Sequence, residues 1–215
     1  CANGQCSQCT VLGDGLPVKG CMTPVRAGMK VRSCEGSPAL PADDVLPKFR
    51  EIPTIETDVL VIGGGPAGIN AAIELGLLGA KTLVVDDKNE FGGKLTLQTH
   101  TFFGSRDDCY AGTRGIEIAH ILTHRLERFP SVSVMLGTTA VGAFHDKQVG
   151  LQQGGGYFQV KPRAVLVACG AREKNLAFPG CDLPGVYGAG AFQTLLNRDL
   201  VRPTERLFIV GGGNV

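Results

Sequence analysis

No stretch of this sequence approaches the ~20 consecutive apolar residues that a membrane-spanning helix needs, so no span is expected. An excess of one charge is also missing. Lys and Arg number 21, Asp and Glu 20, and the two signs are interspersed. Neither a nucleic-acid surface nor a polybasic membrane patch is therefore expected. No signal peptide is visible, because residue 1 is a cysteine inside a motif. The last residues, Phe208 to Val215, also break off inside a motif, so the chain reads as a fragment. Low-complexity tracts are absent. No Ser/His/Asp arrangement for nucleophilic catalysis can be assembled.

Hydrophobic residues make up 43% of the chain and charged residues 19%, the balance of a globular protein. The 31 glycines point to tight turns where backbone approaches a ligand closely. The cysteines are unevenly placed. Cys1, Cys6, Cys9, Cys21 and Cys34 crowd the start, and only Cys109, Cys169 and Cys181 follow. A cysteine cluster heading a large α/β-like chain points to a metal site in a reducing compartment, the cytoplasm, rather than to a disulfide scaffold.

Four segments are expected. Residues 1–36 form part of a small iron–sulfur domain, with a hairpin in which Thr10-Val11-Leu12 turns at Gly13-Asp14-Gly15 and returns along Pro17-Val18-Lys19. Residues 37–57, with four prolines and no periodicity, read as a linker. Residues 58–205 form a dinucleotide-binding domain of the Rossmann type. There Val59 to Ile62 and Thr82 to Val85 read as buried strands flanking a helix from Ala67 to Leu78, a βαβ unit that predicts a parallel sheet. Gly115 to Phe129 has helical spacing, with Ile118, Ile121, Leu122 and Leu126 on one side. Val132 to Leu136 is a further strand. Residues 140–161 read as a small antiparallel β-meander turning at Gly154-Gly155-Gly156, and Ala164 to Ala168 as a buried strand. Residues 206–215 begin a second dinucleotide-binding domain, because Leu207 to Val210 reads as a strand running into Gly211-Gly212-Gly213.

The cysteine spacing is Cys1-x4-Cys6-x2-Cys9-x11-Cys21. The first three lie on a glycine-containing loop, and the hairpin returns the fourth beside the third. Antiparallel neighbours lie only ~5 Å apart, so Cys21 completes a ligand set. Four thiolates hold a [2Fe–2S] core, and C-x4-C-x2-C is the plant-type opening. The competing readings are zinc, which usually shows two separated cysteine or histidine pairs, and unligated thiols. Cys34 is an alternative fourth ligand, but it falls outside the hairpin.

Val59 to Gly68 carries G-x-G-x-x-G directly after a strand and opening a helix. Gly63 permits the tight turn, and Gly65 lets backbone reach a pyrophosphate. Pro66 and Ala67 open the helix, and Gly68 lets it pack on the strand. The helix N-terminus supplies unpaired N–H groups and the positive dipole end for phosphates. Asp86, about 20 residues on, is the acid for the ribose hydroxyls.

Asp86 followed by Phe91-Gly92-Gly93, and Val165-Leu166-Val167-Ala168-Cys169-Gly170-Ala171 later, resemble the two-dinucleotide flavoprotein family, of the pyridine nucleotide-disulfide oxidoreductase type. That resemblance implies FAD at the first fingerprint, with Gly92, Gly93 and Gly170 close to it. It also implies NAD(P) at a second fingerprint, begun here by Gly211 and Gly213. Cys169 stands where the family usually has threonine. With the cysteine cluster, Thr23-Pro24-Val25, Phe178-Pro179-Gly180 and Leu183-Pro184-Gly185-Val186 added, the chain resembles the alpha subunits of heteromeric sarcosine oxidase. It also resembles hydrogen cyanide synthase and related opine or proline dehydrogenases. Residues 97–115 match nothing in that resemblance.

His100 and Cys109 are candidates to touch substrate, and His120 with His124 is an i,i+4 pair without a third metal ligand. Arg172 reads as fixing a loop or a phosphate. No two close cysteines follow Gly93, so a reactive dithiol is excluded. The expected function is an FAD-dependent oxidoreductase that passes electrons between an organic small-molecule substrate or NAD(P)H, FAD and a [2Fe–2S] cluster. The alternative is an electron-relay or scaffold subunit of a heteromeric amine or amino-acid dehydrogenase. Other subunits are expected as partners.

Overall fold

A computed structural model describes residues 8–36 and 51–212, which fall into two compact units, one up to Arg50 and one from Glu51. In the first unit, β1 (Thr10–Gly13) pairs antiparallel with β2 (Leu16–Lys19) and β3 (Val31–Ser33), in the order β2-β1-β3. Asp14 and Gly15 link β1 to β2 at φ 52° and 87°. A two-residue turn with both central residues at positive φ matches the twist of the flanking strands, and Asp-Gly is among its preferred sequences. Thr10 lies opposite Lys19, so Cys9 and Gly20 meet at the open end of the hairpin.

The second unit is built on β4 (Thr54–Ile62), α1 (Pro66–Leu77), β5 (Thr82–Val85), α2 (Arg106–Cys109), α3 (Gly115–Leu126), β6 (Val132–Met135), β7 (Thr138–Ala143), β8 (Val149–Gln153), β9 (Gly156–Val167) and α4 (Ala189–Asn197). One six-stranded sheet runs β6-β5-β4-β9-β8-β7. Its β6, β5, β4 and β9 are parallel neighbours, and β9, β8 and β7 are antiparallel.

Successive side chains of a strand point to opposite faces, and the core divides accordingly. Val61 and Val84 face Ile69, Ala72 and Ile73 of α1 and Ile118, Leu122 and Leu126 of α3. Leu60, Leu83 and Val85 face the other way, onto Val149, Leu151 and Val160 of the meander. Leu60 is fully buried, and trimming such a leucine to alanine costs about 2–5 kcal/mol.

Several expectations need correction. β4 begins at Thr54, inside the span read as linker to residue 57, because its first residues pair with Gln159 to Pro162 of β9. The last meander strand and the strand at 164–168 are one continuous element, β9. Its end is less buried than expected: Val165 is 42% exposed and Val167 70%. The cause is that β8 pairs only with residues 156–160, so the outer edge beyond Val160 has no neighbour among the described residues. Ile121 lies at the margin of the apolar stripe of α3, and Ala119 takes a buried place instead. Leu207 to Val210 forms no strand. No strand among the described residues lies beside it, and its side chains are exposed. Among the described residues no helix is long and apolar enough to cross a membrane.

Candidate functional site

The C-terminal ends of β4, β5 and β9 are tied together where the chain leaves the sheet. Gly63 N–H donates to Val85 O at 2.8 Å, and Ala168 N–H donates to Ile62 O at 2.7 Å. Gly63 sits at φ 111°, and a β-carbon there would run into the carbonyl of Ala168. Only glycine fits that left-handed, crowded position. Gly68 packs its bare backbone against the Gly63 carbonyl, which keeps the start of α1 pressed on the turn. Gly65 differs from both. Its φ is −74°, and a β-carbon would meet nothing closer than Gly93 Cα at 4.0 Å. The protein itself does not require a glycine at this position.

Gly65 opens onto a cavity of about 1160 Å3. Its walls include Gly63, Pro66, Ala67, Asp86, Gly93 and Gly170 of the residues singled out from the sequence. Gly92 is not on the wall, and a β-carbon there would run into the side chain of Ala119. The volume exceeds the ~300–1,000 Å3 of ordinary small-molecule pockets and leaves room for a large ligand. Gly65 is the N-cap residue of α1, which has proline at its first position and no side-chain cap. The N–H groups of its first turn have no carbonyl within the helix to meet and carry the positive end of the dipole.

Asp86 lines the cavity and also staples its rim. Gly64 N–H donates to Asp86 Oδ2 at 2.6 Å, and Lys88 N–H donates to Oδ1 at 2.8 Å. The next acid, Asp87, is held below the usual carboxylate range by its hydrogen bond with the Lys88 ammonium, an exposed pair at 2.6 Å. Arg198, also on the wall, pairs with Asp199 at 2.7 Å. Each holds the other charged: the guanidinium lowers the Asp199 pKa, and the carboxylate raises that of Arg198. Lys94 and Arg172 line the cavity and make no ion pair with the described residues. Cys169 is on the wall too, and its thiol donates to Ile62 O at 3.6 Å.

Other candidates lie elsewhere. His100 stacks on Phe103 at 4.7 Å, and its Nδ1 accepts from Phe102 N–H, so it stabilises its own loop. Cys109 is exposed on α2, away from the cavity wall. His124 pairs with Glu127 at 3.1 Å on the surface. Gly211, at φ 106°, has open space around it, and Gly213 lies outside the described residues. Sequence reasoning missed Lys94, Glu173 and the wall residues of α4. Glu173 reaches α4 across 17 positions, a separation without any local pattern.

In the small unit, Cys9 and Cys21 stand together. Gly20 N–H donates to Cys9 O at 2.9 Å, which closes the hairpin and brings Cys21 beside Cys9. Hydrogen bonds from Cys21, backbone first and thiol second, hold the Cys9 thiol below its ordinary pKa. That favours the thiolate, the form that binds metal. Cys1 and Cys6 lie outside the described residues. All six described cysteines are free thiols.

Residues 57–215 match the family described as pyridine nucleotide-disulphide oxidoreductase. The chain belongs to that family. Residues 1–36 match a 2Fe–2S iron–sulfur cluster binding domain, so this family member carries both modules in one chain. The alpha subunit of sarcosine oxidase from Rhizobium meliloti is 32% identical over 68% of this chain and 15% of its own length. The HcnB subunit of hydrogen cyanide synthase from Pseudomonas protegens is 30% identical over 72% of this chain and 33% of its own. An opine oxidase subunit from Rhizobium meliloti is 30% identical over 73% of this chain and 31% of its own. The chain thus spans between 15% and 33% of the length of these curated relatives. The solved structure of L-proline dehydrogenase from P. horikoshii shares the fold, with a TM-score of 0.63 at 24% identity over 90% of this chain and 37% of that one.

Proposed function

We propose that the chain is the FAD- and [2Fe–2S]-bearing part of a heteromeric cytoplasmic oxidoreductase acting on an amine or amino acid. Gly65 carries this reading: it is bare of side chain, free of conformational need, and open to a cavity of a volume that a dinucleotide can occupy. Gly65 lets the pyrophosphate lie against backbone, where the first-turn N–H groups of α1 donate to it. Asp86 keeps acceptor capacity beyond its two backbone bonds and takes the ribose hydroxyls. Lys94 and Arg172 bring two uncommitted cations to an anionic ligand. Cys9 and Cys21, with Cys1 and Cys6, supply the four thiolates of the cluster. FAD supplies two-electron chemistry and the cluster one-electron transfer. The names of the relatives, which include sarcosine and opine oxidases, support the substrate class and the other subunits. A cysteine cluster heading an α/β chain supports a reducing compartment. Gly211 and Gly213 begin a second site, for NAD(P).

The test uses the whole protein, purified anaerobically. It should show a flavin spectrum and about two iron and two acid-labile sulfide per chain. An N-methyl amino acid or NAD(P)H should bleach the flavin. A protein that carries flavin and cluster but is bleached only with its partner subunits present has an electron-relay role instead. Absence of flavin from the folded protein would refute the cavity assignment.

A further inference from the structure

The helix α4 forms one wall of the cavity through Gly190, Ala191, Gln193 and Thr194, with Arg198 just past its end. Unlike α1 and α3, it buries no residue fully. Packing therefore holds it weakly, and polar ties carry more of the load. At its far end Asn197 Nδ2 donates to Leu97 O at 2.7 Å. At its start the Glu173 carboxylate accepts from Gly190 N–H at 3.1 Å and from Ala191 N–H at 3.3 Å. Glu173 comes from the strap that leaves β9 and lines the same cavity. The seat is shaped for it: a β-carbon on Gly188 would collide with the carboxylate, and one on Gly190 would stand 3.1 Å from Oε2. Gly188 itself has φ −71°, a conformation open to any residue, so its bareness serves Glu173.

We propose that Glu173 is a positioning residue, whose carboxylate docks on the N–H groups of Gly190 and Ala191, fixes α4 as a wall of the cavity, and so sets how fast a bound dinucleotide escapes. The chemistry is a charged cap at a helix N-terminus, supplied by the strap that follows β9. The proposal rests on the dinucleotide reading of the cavity.

Three substitutions in the whole protein test it. Glu173→Ala removes the cap. Gly188→Ala fills its seat while leaving the charge in the chain. Glu173→Gln keeps an oxygen that accepts the same two N–H groups. Hydrogen exchange is followed on residues 189–197, with α1 and α3 as internal references, and flavin release is followed by fluorescence recovery after dilution. Glu173→Ala and Gly188→Ala should each speed α4 exchange and flavin release about tenfold, the scale of a lost cap, with α1 and α3 unchanged. Glu173→Gln should rescue most of both effects. Unchanged α4 exchange in both alanine proteins overturns the proposal, and so does faster exchange with unaltered flavin release. If Glu173→Ala does not fold, the Gly188→Ala and Glu173→Gln pair decides by the same readouts. A wild-type protein without flavin refutes the cavity reading alone, while exchange still reports on the clamp.

Discussion

Replacing Gly65 by valine separates a glycine kept for the fold from one kept for a ligand. Its φ of −74° and extended ψ are open to valine without strain, and the nearest atom to a β-carbon is 4.0 Å away. Entropy lost from the unfolded chain favours the substitution by about 0.4–1 kcal/mol, and valine is a poorer N-cap residue by a similar amount. The ligand-free protein should therefore keep its melting temperature within a few degrees. The branched side chain would instead stand where the pyrophosphate meets backbone. Losing two N–H bonds to a charged phosphate, at about 1.5–3 kcal/mol each, weakens FAD by about 3–6 kcal/mol, on the order of 10²–10⁴ in Kd. Flavin content of the purified protein and the Tm of the ligand-free form are the assays. Full flavin occupancy would refute the argument. A Tm loss beyond ten degrees or so would show that packing, not a ligand, demands the glycine.

Asp86→Ala should weaken FAD by about 1–3 kcal/mol and also lower the Tm, because Gly64 and Lys88 lose their acceptor; an unchanged Tm would contradict the staple. Cys21→Ser should abolish iron and labile sulfide, and Cys34→Ser should spare both; the reverse outcome would make Cys34 the fourth ligand. Gly211→Val and Gly213→Val together should block bleaching by NAD(P)H and leave flavin content intact, and flavin loss would place them in the first site instead. Asp87 has a folded pKa below its unfolded one, so its stabilising contribution is full above the unfolded value of ~3.9 and fades as pH falls through the lower folded value. Lys88→Met should remove that acid-side slope of Tm against pH. Because the pair is exposed, the effect is a fraction of a kcal/mol.

The strand–turn–helix unit from Val59 to Leu77 was legible because periodicity, glycines and a buried apolar run all agree over a short span. The Asp14-Gly15 hairpin was legible for the same local reason. β9 was not, since its pattern changes where it leaves β8 and continues along β4, and Pro162 sits between the two halves. Leu207 to Val210 shows the opposite failure: an apolar run predicts a strand only if another strand lies beside it. On the cavity wall, the neighbourhood of Gly65 and Asp86 could be read from spacing, but that of Glu173 could not. Its role depends on where β9 delivers the strap and where α4 begins, and neither leaves a local mark.

The pairing of β4 with β9 governs when the site comes into being. A separation of 107 positions lies between Ile62 and Cys169, whereas β8 and β9 meet through a two-residue turn. Local hairpins close in microseconds, while distant parallel pairing must first overcome a large loop entropy. The meander should thus form early and wait. The turn at Gly63 reaches its final shape only when the Ala168 carbonyl arrives beside it, so competence to take up the cofactor should be among the last properties this unit acquires as it folds.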